Sequence, residues 1–401
     1  MVELSNTLQQ FVTENLVDRK HTAALKWDAL QERYGNADLL PLWVADMEFK
    51  TPKAVQDALI QRVEQGVFGY SLIPDGYFEA FAGWQAKRHH IQLEKDWLRF
   101  DHGVVNSLYA MVHWCTKPGD QVLVLQPVYY PFMSAIEDNG RQVVSVDLVN
   151  QGDRWTIDFD RLETTLAQGQ IKLFLFCSPH NPVGRIWTEA ELEKVLALCR
   201  QYHVQLVSDE IHQDFELNGH KFTSVLNVAK GRYQNDVVVL TAPSKTFNLA
   251  SLANSHVLIP DADKRQAYDD FIKTIHATEN SLLGQVAAKA AYQHGEAWFD
   301  NLLGVITYNY QSLKEAFQTN CPEITVADLQ GTYLSYINLA PVVNADALED
   351  FVQNRCGLAV DYGAWFAPKD NTYIRLNLAT DPAIVKTAVQ RLITELKNQT
   401  K

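Results

Sequence analysis

The sequence predicts an α/β fold in which a large domain, built on a mostly parallel sheet between helices, is joined to a smaller α+β domain. Through the middle of the chain, short apolar runs alternate with helical patterns, the mark of parallel strands with helices on the sheet faces. From about Gly284 this gives way to long helices, then a strand-like QGTYLSYINL, then mixed elements to the end. The 401 residues are 47% hydrophobic and 21% charged, which supports a large buried core rather than a disordered chain. Length alone allows two or three domains, or one long α/β domain with a smaller appendage.

The opening MVELSNTLQQFVTENL is acidic and amphipathic, with no basic stretch ahead of an apolar run, so it does not read as a secretion signal. Residues 1–45 are expected to pack with the small domain, 46–283 to form the large domain and 284–401 the small one. Strands are expected at Gln121 to Leu125, Val143 to Leu148, Ile171 to Cys177, Val204 to Ser208 and Asp236 to Thr241. Between the last three lie helical stretches such as Thr188 to His203, where Thr188 and Glu191 have the spacing of a capping box.

A net charge of -13 excludes the basic footprint of a nucleic-acid or anionic-membrane binder, so any phosphate must be bound locally. Five cysteines, without C-x-x-C spacing, suggest neither a disulfide framework nor a zinc site and fit a reducing cytoplasm. No apolar stretch is long enough to span a bilayer.

In open parallel sheets ligands bind beyond the carboxyl ends of the strands. Asn181 follows the third expected strand, Asp209 and His212 the fourth, and Ser244 and Lys245 the fifth. Taken singly, Asp209 could cap a helix, Lys245 could be a solvated charge and Asn181 could stabilise a turn. All three at successive strand ends bring an amide, a carboxylate and an amine to one edge. Gly103 in HGVVNSLYAMVHW reads as a tight turn opening a helix, whose free amides at Val104 and Val105 attract a phosphate without net positive charge.

The segments SPHNPVGRIW, SDEIHQDF and APSKTFNLASL, with WVADMEF, GYS, PVYYPF and IRLNLA in the same order, resemble the fold-type I pyridoxal-phosphate enzymes of the class I/II aminotransferase superfamily. They are most similar to its branch of MalY/PatB-type cystathionine β-lyases. The resemblance runs from about Trp43 to Ala379. It implies an aspartate-aminotransferase-like fold with a seven-stranded type of sheet, pyridoxal 5'-phosphate as cofactor and a homodimer with shared active sites.

By the resemblance, Lys245 forms the Schiff base and moves the Cα proton, and Asp209 keeps the pyridine nitrogen protonated. Asn181 donates to the ring oxygen, with His212 near it. Gly103, Val104, Val105 and Ser244 hold the phosphate, joined by Tyr70 from a neighbouring subunit. Tyr129 stacks on the cofactor, with Tyr130 as the alternative. Arg375 takes the substrate carboxylate through its two-pronged guanidinium, beside Asn181 and the backbone of Ala45.

Departures from the family pattern are Ser251 after NLA, Asn338 in YLSYIN, and Ala253 where many aminotransferases place a phosphate-binding arginine. The last, together with the resemblance of WVADMEF, PVYYPF and APSKTFNLA to the β-lyase branch, favours a carbon–sulfur β-lyase acting on cystathionine or related cysteine S-conjugates over the alternative, an aminotransferase. A non-enzymatic regulator is a third possibility, although the residues before WVAD hold no basic helix-turn-helix.

Overall fold

The computed structural model describes residues 4–277 and 280–399. Its centre is a seven-stranded sheet of β1 (Leu98–Asp101), β2 (Gln121–Val124), β3 (Gln142–Ser145), β4 (Ile171–Cys177), β5 (Gln205–Asp209), β6 (Val237–Thr241) and β7 (Ser255–Leu258). The spatial order is β1-β7-β6-β5-β4-β2-β3. Strands β2 to β6 pair in parallel, whereas β7 runs antiparallel to both of its neighbours.

The five strands expected from sequence are β2 to β6. The sequence reading misses β1 and β7, because LRFD and SHVL are four residues long and carry polar side chains that break the apolar run. One boundary shift matters for chemistry. Strand β5 runs one residue further than expected, so Asp209 is its last residue rather than the first of a loop.

The sheet is apolar because both faces are covered. Val122, Val124, Leu173, Leu175, Val207 and Val238 face one core, and Leu123, Phe174, Phe176, Leu206, Val237 and Val239 the other. Alternation along a strand thus splits one continuous apolar run between two cores. The helices used below are α1 (Asn6–Asn15), α2 (Val104–Cys115), α3 (Glu189–Gln201), α4 (Leu282–His294), α5 (Glu296–Asn320) and α6 (Pro382–Gln399). The capping box at the start of α3 is present, with Glu191 Oε2 accepting from the Thr188 amide at 2.8 Å.

The second sheet is antiparallel, with β8 (Thr325–Val326), β9 (Leu334–Asn338), β10 (Asp361–Tyr362) and β11 (Tyr373–Asn377) in the order β8-β9-β11-β10. Helices α5 and α6 pack together on this side, and α1 packs on α5. Leu40–Pro41 pairs in parallel with Leu358–Ala359, tying the early chain to the small sheet. The boundary expected at 283/284 falls inside α4, which packs against helices Lys53–Glu64 and Tyr77–His89. Among the described residues no helix is long and apolar enough to cross a membrane. All five cysteines are free thiols.

Candidate active site

Parallel register puts the chemistry together. Cys177 on β4 is opposite Asp209 on β5, and Asp209 is opposite Leu240 on β6. The three strands therefore end within one residue of the same level, and the chain turns out of the sheet at nearly the same height in each. Ladder bonds continue one step past the edge, with the Ser178 amide donating to Asp209 O at 2.9 Å and the Glu210 amide to Leu240 O at 2.7 Å. Residues 178–183, 210–214 and 242–246 emerge side by side, carrying Asn181, His212 just beyond Asp209, and Lys245.

Asp209 is buried and its side chain takes a hydrogen bond from the Ile211 amide at 3.0 Å. Burial pushes its carboxyl up to about 7, opposed by that amide and by the charge of Lys245. Lys245 lies in the one-turn helix Pro243–Thr246. Its Nζ donates to the carbonyl oxygen of Ala45 at 2.7 Å. Desolvation lowers its ammonium to about 8, against the pull of Asp46, with Arg375 adding to the lowering. Burial holds His212 well below the ordinary histidine range, so the ring is neutral, and its Nδ1 is buried without a hydrogen-bond partner.

The small sheet supplies the other wall. Arg375 on β11 is opposite Asp361 on β10 and Tyr336 on β9. It is buried, ion-paired through Nη2 with Asp361, and donates from Nη1 to Asn181 Oδ1 at 2.8 Å. That bond fixes the Asn181 amide with its oxygen toward the guanidinium, leaving Nδ2 as a free donor. Arg375 Nε is buried without a partner. The 43–49 segment crosses between the walls. Asn377 Nδ2 donates to Val44 O at 2.7 Å and Asp46 O at 2.6 Å, and Tyr333 Oη donates to Ala45 O at 2.8 Å. Asn248 holds the far end through Met47 and Phe49. Ala45 thus presents one carbonyl to both Lys245 and Tyr333.

At the opening of α2, Gly103 has φ 144° and ψ 152°, a backbone conformation open to glycine and strained for other residues. No side chain caps this helix, so the amides of Val104 and Val105 face outward with the positive end of the helix dipole. The Gly103 amide donates to Ser255 Oγ at 3.0 Å, which places a hydroxyl from β7 at the same turn. Ser244 is partly buried beside Lys245. Tyr129 takes a backbone bond, its amide donating to Asn181 O at 3.1 Å, and its ring centroid is 5.0 Å from that of Tyr130.

The structure therefore gathers Lys245, Asp209, Asn181, His212, Arg375, Tyr129 and the Ala45 carbonyl around one cleft. Tyr70 stands apart on the exposed 66–75 segment, its ring fully exposed. Sequence reasoning misses Tyr333, Asp361 and Ser255. Tyr333 is within QGTYLSY, a stretch read only as a strand, and Asp361 precedes GAWF without a distinctive signal.

A parallel α/β sheet whose strand ends join an amine, a buried carboxylate and an amide to an arginine from the small sheet has the make-up of an enzyme site. The chain belongs to the aminotransferase class I and II family, whose sequence model matches residues 38–392. It is 34% identical to cystathionine beta-lyase PatB of Bacillus subtilis, over 94% of this chain and 97% of that protein. Identity to protein MalY of Escherichia coli is 32%, over 96% of this chain and 99% of that protein. The structure of cystalysin from Treponema denticola, which contains a pyridoxal 5'-phosphate cofactor, superposes with a TM-score of 0.91 at 32% identity, covering 95% of this chain and 98% of that one.

Proposed function

We infer that this protein is a pyridoxal-phosphate-dependent carbon–sulfur β-lyase that cleaves L-cystathionine and related cysteine S-conjugates to a thiol, pyruvate and ammonia. The observation that carries this reading is the convergence of Lys245, Asp209 and the Arg375–Asn181 pair on one cleft in a chain similar over nearly its whole length to carbon–sulfur lyases.

The cleft fits the cofactor. Asp209 is a buried carboxylate raised to about 7, a group that a cationic ring nitrogen would satisfy. His212 Nδ1 is a buried polar atom without a partner, and the start of α2 is an uncapped set of amides suited to a phosphate. Asp209 would hold the ring nitrogen, Asn181 Nδ2 and His212 the ring oxygen side, and Val104, Val105 and Ser244 the phosphate. Pyridoxal phosphate, when bound, takes up the electron pair left at Cα.

The chain's own groups do the rest. Arg375 and Asn181 anchor the α-carboxylate and so aim the Cα–H bond. Lys245 Nζ, with its proton affinity lowered by burial, accepts the Cα proton and then serves as the proton source for the departing sulfur. The Ala45 carbonyl, fixed by Tyr333 and Asn377, orients the Lys245 amine when it is free. Carbon–sulfur cleavage releases the thiol from Cβ, its sulfur taking the proton held by Lys245, and water completes the release of pyruvate and ammonia.

Incubated with L-cystathionine and no keto acid, the holoenzyme is expected to release pyruvate and free thiol in equal amounts through many turnovers. A halt after about one equivalent per site, relieved by added keto acid, would make it an aminotransferase.

The active form is a homodimer in which Tyr70 reaches the partner's phosphate. The supporting observation is a run of exposed apolar side chains, Val67, Phe68, Tyr70, Leu72 and Ile73, on one extended segment. Sedimentation is expected to give a dimer, and Tyr70→Phe to weaken cofactor retention about tenfold, the loss of one charge-assisted hydrogen bond. A monomer that keeps full activity at high dilution would contradict this. The five free thiols fit a reducing, cytoplasmic location.

A further inference from the structure

An aromatic run leads out of the cleft and ends on an arginine that the mechanism does not use. Tyr129 is partly buried at the cleft, and its ring lies 5.0 Å from Tyr130, which is 38% exposed. The ring centroid of Tyr130 lies 6.2 Å from that of Phe366 and 6.5 Å from that of Trp365, the latter pair T-shaped. The two ends of this wall carry guanidinium groups. Arg375 Cζ lies 4.8 Å from the Phe366 ring centre on the buried side, and Arg33 Cζ lies 4.6 Å from that of Trp365 on the outer side. Both charges act on the hydroxyl of Tyr34, which donates to Val360 O at 2.9 Å, so they belong to one neighbourhood.

The two arginines differ in their partners. Arg375 is ion-paired with Asp361 and bonded to Asn181. Arg33 is exposed, and among the described residues it forms no ion pair or side-chain hydrogen bond, its recorded contact being the face of Trp365. Stacking holds the planar fork in place while leaving its N–H donors open, which lowers the entropy lost on binding an anion.

We propose that Arg33, stacked on Trp365, is a specificity residue that binds a second carboxylate carried on the thiol half of the substrate. This rests on the β-lyase reading and deepens it. The inner carboxylate goes to Arg375, the reacting Cα and Cβ lie at Lys245, and the leaving thiol points along Tyr130 and Trp365 toward Arg33. Substrates of the cystathionine kind, which carry a carboxylate at the far end, are thereby favoured over cysteine S-conjugates with a plain alkyl group.

The test compares L-cystathionine with S-ethyl-L-cysteine for the wild-type holoenzyme, Arg33→Gln and Arg33→Lys. For Arg33→Gln, kcat/KM for cystathionine is expected to fall about fivefold, the worth of one exposed ion pair, through KM with kcat kept. The value for S-ethylcysteine should move by less than about twofold, within surface-mutation scatter. Arg33→Lys should recover part of the loss, and added salt should narrow the wild-type preference. Equal loss for both substrates, or none for either, overturns the proposal. Calorimetric binding of L-2-aminosuberate against L-2-aminooctanoate, which carry no sulfur to expel, reads the same preference without turnover. If wild type releases no pyruvate from either sulfur substrate, the lyase reading falls, and the calorimetric ratio still decides on Arg33.

Discussion

Replacing Lys245 with alanine is expected to lower turnover by about 10⁴-fold or more, the scale of losing a combined base and acid, while leaving the fold in place. The structural cost is small because the lysine's recorded hydrogen bond goes to the Ala45 carbonyl, which keeps Tyr333 Oη as a donor. The loss of one hydrogen bond of this kind costs about 1 kcal/mol. The protein should also lose its colour and its stable attachment to the cofactor. A second readout needs no turnover. In cofactor-free protein the Lys245 ammonium, lowered to about 8, should become reactive toward an acylating reagent as pH rises through about 8. An ordinary lysine stays protonated until about 10.4. Site-resolved labelling by mass spectrometry against pH measures this. A Lys245→Ala variant with normal turnover, or labelling of Lys245 that follows the exposed lysines, would remove it from the centre of the chemistry.

Asp209→Asn is expected to cost about 10²- to 10³-fold in kcat, the effect of removing one preorganised charge from a buried site. It should also raise the stability of the cofactor-free protein above neutral pH. The two effects share a cause. Asparagine preserves the oxygen that accepts the Ile211 amide, so the turn after β5 is kept, but the charge is gone. The folded carboxyl, at about 7, lies above its ordinary 3.8, so below about pH 4 it is protonated in both folded and unfolded chains. Between about pH 4 and 7 the unfolded chain is ionised while the folded carboxyl keeps its proton, so stability falls across that window and the loss is complete once the folded group ionises near 7. The variant escapes that loss. Its Tm advantage over wild type in the cofactor-free state should therefore be absent near pH 4 and present at pH 8. A variant equally active, or less stable at pH 8 than wild type, would show that Asp209 is not a buried charge held for a cationic partner.

Much of this site could be read along the chain because it is built from strand ends. Asn181, Asp209 and Lys245 each follow an apolar run that reads as a strand, and parallel pairing does the rest by aligning Cys177, Asp209 and Leu240 at one level. The turn at Gly103 was legible for a similar reason, since a glycine before an apolar helical pattern marks a local backbone requirement. Ser255 was not, because β7 is short, polar and antiparallel, and nothing in SHVL announces that its first residue meets the Gly103 amide.

The features legible along the chain are local: where apolar runs make strands, where Thr188 starts a helix, and which reactive side chains stand at the strand ends. The tertiary structure alone decided the partners. Arg375 meets Asn181 across 194 intervening sequence steps, and Lys245 meets the Ala45 carbonyl across 200. Asp361 becomes the counter-ion of Arg375 through strand register in the small sheet. Propensity and periodicity act over a few residues, whereas these contacts form only when the two sheets and their helices bury their apolar faces and bring distant segments together.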